Sequence, residues 1–399
     1  MHLFIVHQFP DYDNFVSITV SLKKKINSNI AIMNIFPVHN LKYYGFNALL
    51  EKYQIQFIDV FELNKRSILV NLLLNLIIII PKVIIKKLNR VWYYMYHKYT
   101  LFNEKHFVDL IKKNKIKSIN IDDGLPERYK KILFAACKKT NIKLNCYKIG
   151  VEMRKDIKIK QEDYSLFDHT IIQDQNLIID ESEKNNKKFI RIASPRYSLD
   201  WMDEVENSYK YKLKEYDPDI TKRKLRVLLV TRNRVSNNTW QMIQDELKRI
   251  DNIELKIKIK PRGQLRPLHI QENIINEYNT AELINWADVV VAHSTSILIE
   301  AIIKNKKILF LNFLYTLEDK KQLLDGDKYV FENQYIVEYI NSKEDLIKRI
   351  HILKSAESCI SDNKKYQESK KFFLKKILED KFFDRPNNLN EDLINIYQS

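Results

Sequence analysis

Short apolar runs alternate with helix-like segments along most of this sequence, and the alternation limits the folds that the chain can adopt. Parallel strands need long crossover connections, which are usually helices, so this pattern predicts βαβ units. In the first half the predicted strands are LFIVH (3–7), IAIMN (30–34), IQFIDV (55–60), IKSINI (116–121), IKLNCY (142–147), HTIIQ (169–173) and FIRIA (189–193). In the second half they are LRVLLVT (225–231), IELKIKIK (253–260), DVVVA (288–292) and KILFLN (307–312). The predicted fold class is α/β, with two Rossmann-like domains facing each other across a cleft.

Length and a change in composition divide the chain. Its 399 residues suffice for two domains of roughly 150–200 residues each. The segment from residue 194 to residue 224 is polar and charged, and it separates the two series of strands. We predict an N-terminal Rossmann-like domain at 1–205, a C-terminal Rossmann-like domain at 206–370 and a helical tail at 371–399 that can cross back.

Composition excludes several classes of protein. The chain has five glycines and lacks both G-x-G-x-x-G and G-x-x-x-x-G-K, which argues against NAD enzymes and P-loop kinases. Three cysteines without a C-x-x-C indicate a reducing compartment and no zinc site. No D-x-D loop or other metal-ligand spacing stands out, so we expect metal-independent chemistry without a cofactor.

The net charge of +16 favours an anionic partner, although lysines spread over solvated surfaces give the same total. The apolar stretch 68–85 is interrupted by polar residues and is shorter than the ~20 residues of a membrane span. Basic flanks and the aromatic run VWYYMYHKY favour a peripheral contact with an anionic membrane through residues 65–99. A helix packed inside the first domain explains the segment equally well. No nucleic-acid recognition motif occurs, and the N-terminus resembles a first strand instead of a signal peptide, so we expect a cytoplasmic protein, at the inner face of the membrane if this contact forms.

A cluster of hydroxyl groups stands where the predicted strand 288–292 gives way to a helix. It comprises Ser294, Thr295 and Ser296, preceded by His293. A helix that starts at the carboxyl end of a parallel strand presents unpaired N–H groups, to which hydroxyl donors can be added for a phosphate. Glu300 lies four residues after Ser296 on the same predicted helix face, where it can meet a sugar or ribose hydroxyl. The alternative is an ordinary capped helix with a solvated glutamate.

Adjacent carboxylates follow another predicted strand in the sequence NIDDGLPERYKK (120–131). Asp122 and Asp123 stand at the strand end, before Gly124 and before a helix with Pro126 near its start. This arrangement predicts an acid pair facing a cleft. A simple D-D-G turn is the alternative. Further polar residues near strand ends are His7, the DYD sequence at 11–13 and Arg196, which either faces the interdomain cleft or anchors the linker.

The stretch D-V-V-V-A-H-S-T-S-x-x-x-E-A resembles the donor-binding end of GT-B glycosyltransferases, which have two Rossmann domains. The D-D-G motif is similar to that of bacterial sialyltransferases and Kdo transferases, in which the first acidic residue often serves as the base. This resemblance implies a nucleotide-sugar donor, with a CMP-sugar slightly favoured, and Asp122 or Asp123 as the base. It also implies that the domain at 206–370 binds the nucleotide sugar and that the domain at 1–205 is on the acceptor side. Nucleotide-sugar epimerases share the first pattern.

The resemblance also implies donor contacts in two further loops. The loop TRNRVSNN (231–238) would approach the donor phosphates through Arg232, Asn233 and Arg234. The loop at 257–267 carries Lys260 and Arg262, where these families usually carry a His-Pro pair. A guanidinium can neutralise a leaving phosphate, but it does not donate a proton at neutral pH.

Taken together, these patterns predict a glycosyltransferase of bacterial surface polysaccharide, meaning capsule or lipopolysaccharide. It would move a sugar from a nucleotide-activated donor to a glycan acceptor, free or lipid-linked. Two alternatives stay open. One is a nucleotide-sugar epimerase or polyol-phosphate transferase on the same scaffold, and the other is a non-catalytic basic protein that binds membrane or nucleic acid.

Overall fold

The computed structural model of the protein describes residues 1–7, 9–26, 28–35, 46–59, 103–148, 158–159, 164–173, 178–179, 189–192, 194–208, 223–231, 235–258, 280–293, 295–314, 336–355, 364–378 and 391–398. Within these ranges the chain forms two large parallel sheets, with helices on both faces of each, and one small two-stranded sheet.

The first half of the chain forms a sheet of seven parallel strands. They are β1 (His2–Val6), β2 (Ile30–Asn34), β3 (Gln56–Asp59), β4 (Ser118–Asp122), β5 (Lys143–Lys148), β7 (His169–Ile172) and β9 (Phe189–Arg191). Two short strands, β6 (Lys158–Ile159) and β8 (Ile178–Ile179), pair with each other. The order across the large sheet is β3-β2-β1-β4-β5-β7-β9. Every residue of β1, β2 and β4 is buried, as expected for a sheet covered on both faces.

The second half forms a sheet of five parallel strands. They are β10 (Leu225–Val230), β11 (Ile253–Lys258), β12 (Val289–Ala292), β13 (Lys307–Leu311) and β14 (Val337–Ile340). Their order across the sheet is β11-β10-β12-β13-β14.

Helices cover both faces of each sheet. They are α1 (Phe9–Lys23), α2 (Asn47–Lys52), α3 (Glu104–Lys113), α4 (Glu127–Thr140), α5 (Leu199–Asn207), α6 (Asn237–Lys248), α7 (Thr280–Trp286), α8 (Ile297–Ile303), α9 (Lys343–Ser355), α10 (Lys364–Leu378) and α11 (Glu391–Gln398). Neighbouring residues of one strand enter different cores. Phe4 of β1 packs with Phe15 of α1, whereas Leu3 belongs to the core that includes Leu133 of α4.

Each sheet contains a topological switch point, at which the strand order reverses. Strands β2 and β3 lie on one side of β1 and β4 lies on the other, and strands β11 and β12 lie on opposite sides of β10. Loops diverge at such a point and leave a crevice at the carboxyl ends of the strands, where α/β proteins bind ligands. The acid pair follows β4 and the hydroxyl cluster follows β12, so both predicted motifs lie at these points.

Helix α5 binds both domains. Trp201 packs into a core of the first sheet, whereas Met202 packs into a core of the second. Glu204 faces the first domain, and Glu206 pairs with Lys304 at the end of α8, with 2.7 Å between Oε2 and Nζ. The first-domain partners of Glu204 are Lys24, Lys52 and Tyr53. One short helix therefore holds the two domains through apolar and ionic contacts.

The last helix, α11, packs against the first sheet. The Tyr397 hydroxyl donates a 2.8 Å hydrogen bond to Asn120 Oδ1 of β4 and lies 2.5 Å from the Tyr147 hydroxyl of β5. Its ring meets that of His2 edge-on, with 5.0 Å between the ring centroids. The chain thus returns to the N-terminal domain after completing the second sheet.

The predicted fold class is confirmed, and each predicted strand overlaps a strand of the structure. Strands β6, β8 and β14 were not predicted. Glu338 interrupts the apolar run of β14, an edge strand, and in the structure it pairs with Lys307 and Arg349. Among the described helices, none is long and apolar enough to cross a membrane. The membrane contact predicted at 65–99 lies outside the described residues.

Replacing Glu204 with glutamine tests the ionic contacts of α5. Burial raises the pKa of Glu204, but hydrogen bonds from Lys52, Tyr53 and Lys24 outweigh burial and lower it to about 2, below its usual 4.5. These contacts therefore stabilise the fold above about pH 5, and the stabilisation is lost as the pH falls toward 2. We expect Glu204→Gln to lower the free energy of unfolding by about 1–2 kcal/mol at neutral pH, since the partners are partly exposed.

Urea unfolding of both proteins at about pH 7 and about pH 3 measures this effect, and the deficit of the variant should shrink at the lower pH. Glu246→Gln is the control, because Glu246 pairs with the exposed Arg249 within one turn of α6. That change should cost under about 0.5 kcal/mol. An equal deficit of Glu204→Gln at both pH values would contradict the prediction.

Candidate functional site

The carboxyl edge of the first sheet carries the predicted acid pair in two different environments. Asp122, the last residue of β4, is buried, and its carbonyl oxygen accepts a hydrogen bond from the Leu125 N–H, which closes the turn before α4. Asp123 lies at the edge, where its Oδ2 accepts a 2.6 Å hydrogen bond from Lys148 Nζ at the end of β5. Its side chain is 19% exposed, against 4% for the whole of Asp122, so Asp123 is the more accessible carboxylate.

The Cys146 thiol lies close to this acid pair. Burial raises the pKa of Cys146 well above its usual value, and the negative charges of Asp123 and Asp122 add to that increase. A buried thiol with a raised pKa is a poor nucleophile, because the reactive form is the thiolate. Cys146 is therefore a packing residue beneath the acid pair.

The carboxyl edge of the second sheet carries two buried hydroxyl groups. Thr231 directly follows β10, and Thr295 lies three residues after β12, the strand paired with β10. Thr231 is 1% exposed and Thr295 is 5% exposed. Neither Oγ1 atom has a hydrogen-bond partner within the described part of the chain. A buried hydroxyl without a partner is costly, so these two groups are suited to bind a ligand oxygen.

Lys258 ends β11 beside these hydroxyl groups. Its backbone oxygen accepts a 3.0 Å hydrogen bond from the Thr231 N–H, so β10 and β11 end side by side. Burial lowers the pKa of Lys258 to about 8, although the charge of Glu282 on α7 acts to raise it. The ammonium group remains mostly protonated at neutral pH, which places a positive charge near the carboxyl edge of the sheet.

Two residues close to Thr295, His293 and Ser296, have protein partners. The His293 ring stacks on Phe310 of β13, with 5.9 Å between the ring centroids. Ser296 forms a side-chain hydrogen bond with Tyr197. Capping of α8 by the Ser296 side chain, which the sequence allowed, does not occur. The Ser296 backbone is helical, with φ −62° and ψ −17°, whereas a capping side chain normally needs an extended backbone.

Glu300 of α8 is buried and paired, so the alternative of a solvated glutamate is wrong. Its Oε1 accepts hydrogen bonds from Arg196 Nε at 3.0 Å and Arg196 Nη2 at 2.5 Å. The remaining guanidinium nitrogen, Nη1, lies 2.8 Å from Oδ2 of Asp13 on α1. Arg196 thus joins a helix of the first domain to a helix of the second, and it satisfies both sequence interpretations by anchoring the linker and facing the cleft.

This bridge shows how the two sheets are oriented. Asp13 lies near the start of the helix that follows β1, and Glu300 lies near the start of the helix that follows β12. Both helices start at the carboxyl edge of a sheet, at its switch point. Because one guanidinium contacts both carboxylates, the two carboxyl edges face each other.

A small cleft of about 30 Å³, partly open to solvent, lies beside the bridge between the domains. Three charged side chains contribute to its wall together with apolar groups. Its lining residues are Asp13, Phe46, Arg196, Trp201, Met202, Val205, Thr280, Ala281 and Glu300.

Half of the predicted site residues lie outside the described residues, namely Arg232, Asn233, Arg234, Lys260, Arg262 and Ser294. The loops that contain them start directly after β10, β11 and β12, which are neighbours in the sheet. The contacts of these six residues stay predictions. Within the described ranges, no group of three or more histidine, cysteine or acidic residues could hold a metal ion.

Four polar residues of these edges were absent from the predicted site, namely Thr231, Lys258, Lys148 and Arg196. Thr231 and Lys258 have a signal in the sequence, since each stands at or near the end of a predicted strand, where ligands bind. Lys148 is recognisable only from its partner, which is 25 residues away in sequence. Arg196 was noted in the sequence as facing the cleft or anchoring the linker, but its partner Glu300, 104 residues away, is visible only in the structure.

Comparisons with solved structures identify the fold. A UDP-N-acetylglucosamine 2-epimerase matches with a TM-score of 0.52 and 11% identity, over 99% of this chain and 95% of the other. A UDP-GlcNAc 2-epimerase from Neisseria meningitidis bound to UDP-GlcNAc matches with a TM-score of 0.51 and 11% identity, over 99% of both chains. The wall teichoic acid polymerase TagF matches with a TM-score of 0.50 and 11% identity, over 100% of this chain and 89% of the other.

These similarities show that the chain has the GT-B architecture of two parallel-sheet α/β domains. At 11% identity they establish the fold alone. No model of a known protein family matches the sequence, and no curated protein sequence matches it.

Lys258→Met tests the buried charge at the second edge. The folded-state pKa of about 8 lies below the usual 10.5, so the protonated form destabilises the fold. As the pH rises from about 8 to about 10.5, the folded protein loses its proton first and stability increases. We expect the wild type to gain stability relative to Lys258→Met over this range, as measured by urea unfolding.

The control is Lys248→Met, because Lys248 is exposed, and the stability difference between the wild type and this variant should not change with pH. Parallel stability profiles of the wild type and Lys258→Met over the same pH range would refute the assignment.

Proposed function

We propose that the protein is a glycosyltransferase that moves a sugar from a nucleotide-activated donor to a glycan acceptor in bacterial surface polysaccharide synthesis. The observation that carries the proposal is the opposition of the two carboxyl edges through Asp13, Arg196 and Glu300. It sets an edge with carboxylates against an edge with unpaired hydroxyl groups and a buried lysine. A transfer reaction needs a base on one side and a phosphate site on the other.

The donor phosphates would bind at the second edge. Thr231 and Thr295 supply hydroxyl donors and Lys258 supplies positive charge at the ends of three adjacent strands. The predicted contacts Arg232, Asn233, Arg234, Lys260, Arg262 and Ser294 belong to the loops that continue from these strands. Positive charge fixed at this edge would stabilise the nucleotide phosphate as it departs.

The acceptor would bind at the first edge, where a carboxylate accepts a proton. The acceptor oxygen attacks the anomeric carbon, its proton passes to the carboxylate, and the bond from that carbon to the phosphate oxygen breaks with the electron pair leaving on the nucleotide. Of the predicted pair we propose Asp123 as the base, because it is the more exposed and its ion pair with Lys148 uses Oδ2 alone. Asp122, buried under the turn, would position it.

Activity measurements test the base. Asp123→Asn should lower kcat by about 10²–10⁴-fold, since a general base contributes that much, while the affinity for the nucleotide stays unchanged. The matched control is Asp245→Asn, whose carboxylate accepts a hydrogen bond from Gln241 within α6. Full transfer activity in both Asp122→Asn and Asp123→Asn would exclude the acid pair as the source of the base.

Nucleotide binding tests the second edge. A thermal-shift screen with CMP, UDP, GDP and CDP should give one nucleotide that raises the Tm, because a hundredfold excess over Kd adds about 2.7 kcal/mol to the free energy of unfolding. CMP is the first candidate because of the D-D-G resemblance. Thr231→Val and Thr295→Val should each lower the affinity for that nucleotide by about tenfold, which is the cost of one lost hydrogen bond.

Thr19→Val is the control for nucleotide binding, because Thr19 is fully buried in α1 and its hydroxyl bonds to the Val16 carbonyl. It should change stability without changing the affinity for the nucleotide. Unaltered affinity in the double variant Thr231→Val/Thr295→Val would place the phosphate elsewhere.

An epimerase is the second candidate, because two of the proteins that share the fold are UDP-GlcNAc 2-epimerases. A polyol-phosphate transferase on the same scaffold is the related alternative, and the wall teichoic acid polymerase TagF shares the fold. Incubation with a labelled nucleotide sugar, with and without a glycan acceptor, separates these activities. Epimerisation proceeds without an acceptor, whereas transfer requires one. Cytoplasmic location and the membrane contact through residues 65–99 remain predictions, which vesicle binding at varied salt would test.

A further inference from the structure

We propose that Arg196 is a positioning residue that sets the separation of the two carboxyl edges by binding Asp13 and Glu300 at the same time. Its effect on sugar transfer rests on the proposed function, but its effect on domain geometry does not. The three side chains come from three separate segments, namely α1, the 3-10 turn Pro195–Tyr197 and α8.

The geometry of the bridge restrains the domains. Nε and Nη2 of Arg196 contact Glu300 Oε1 at 3.0 and 2.5 Å, and Nη1 contacts Asp13 Oδ2 at 2.8 Å. Because the guanidinium is planar and rigid, the positions of its two carboxylate partners are fixed relative to each other. The neighbouring Tyr197 hydrogen-bonds to Ser296 at the start of the same helix. The turn before α5 therefore sets where α8 stands relative to α1.

Burial makes this bridge sensitive to the loss of its cation. The exposed fractions of the Arg196, Asp13 and Glu300 side chains are 12%, 14% and 8%. Burial raises the pKa of both carboxyl groups, and Arg196 acts against this increase. Removing the guanidinium would leave two buried carboxyl groups close together without their counter-ion, a strongly unfavourable arrangement. Opening of the cleft would relieve it by admitting water.

The bridge also orients a predicted donor contact. Both hydrogen bonds from Arg196 to Glu300 end on Oε1. The carboxylate is thereby held in one orientation, in which Oε2 is the oxygen left for a sugar hydroxyl of the donor. Arg196 would then act on the reaction through Glu300 and through the distance between the edges, without touching the reacting atoms.

Spin-label distances test the geometry directly. Labels on Lys138→Cys in α4 and Lys248→Cys in α6 report the separation of the domains, in a Cys359→Ser background that retains the buried Cys137 and Cys146. In this background Arg196→Met should increase the mean distance between the two labels and broaden its distribution. Apolar contacts of Trp201 and Met202 keep α5 attached to both domains, so the variant should remain folded.

Arg223→Met is the matched control. Arg223 forms a bidentate pair with Asp288 at 2.6 and 2.8 Å, with exposed fractions of 15% and 13%, but both residues lie in the second domain. This variant loses a comparable ion pair, and the distance distribution should equal that of the wild type. If Arg196→Met fails to fold, the triple variant Arg196→Met/Asp13→Asn/Glu300→Gln, which leaves no charge in the bridge, should fold and still broaden the distribution. The proposal is overturned if whichever of these two variants folds gives a distance distribution as narrow as that of the wild type.

Kinetics separate this proposal from the proposed function. With Arg196→Met, kcat for transfer should fall by about tenfold or more because the reacting groups are misplaced, while the thermal shift by the nucleotide alone persists. Arg196→Lys should recover part of kcat, because it restores the charge without the fork of donors. If the wild type transfers no sugar but Arg196→Met still changes the distance between the labels, the proposed glycosyltransferase activity is rejected and the positioning role of Arg196 is kept. Unchanged kcat and unchanged distance would reject the positioning role alone.

Discussion

The contact of Arg196 with Asp13 and Glu300 is the interaction on which the arrangement of the two domains depends. Each sheet folds around its own cores, but a ligand site between the sheets requires their carboxyl edges to face each other. The short segment 194–208 achieves this by binding both sides. Its 3-10 turn supplies the ionic contacts to α1 and α8, and α5 places Trp201 in one core and Met202 in the other. Apolar burial contributes to the attachment, and the charged contacts restrict its geometry, because they are directional.

The polar groups at the two edges differ in a way that suits a reaction between two substrates. The first edge combines carboxylates with a lysine that pairs with one of them, whereas the second combines hydroxyl groups with a buried lysine whose pKa is about 8. Strand ends collect such groups because the carboxyl ends of parallel strands are adjacent and the loops diverge there. The same scaffold supports epimerases and a polymerase in the proteins that share this fold. Chemistry is therefore decided by the edge residues and not by the architecture.

Much of the fold could be predicted because strands buried on both faces have continuous apolar runs. The central strands β1, β2, β10, β12 and β13 were found in this way, while β4 and β5 were found from short apolar stretches that contain polar residues. The position of the acid pair and the hydroxyl cluster at strand ends followed from these strands. The edge strand β14 escaped prediction because Glu338 breaks its apolar run, and the ion pairs with Lys307 and Arg349 that make this glutamate acceptable come from other elements. The solvated alternative for Glu300 failed for the same reason, since its partner lies 104 residues earlier.

The sequence by itself determined the α/β class, the two series of strands and the residue types at the ends of those strands, because local periodicity and the order of elements record them. Only the tertiary structure decided which of those residues share a surface. It placed Asp123 on Lys148, Ser296 on Tyr197 and Arg196 between two helices of different domains. Such pairings depend on the order of strands across each sheet and on the orientation of one sheet relative to the other. No local stretch of the sequence determines the strand order or the orientation of the sheets, because both result from burying apolar surfaces that are far apart in the chain.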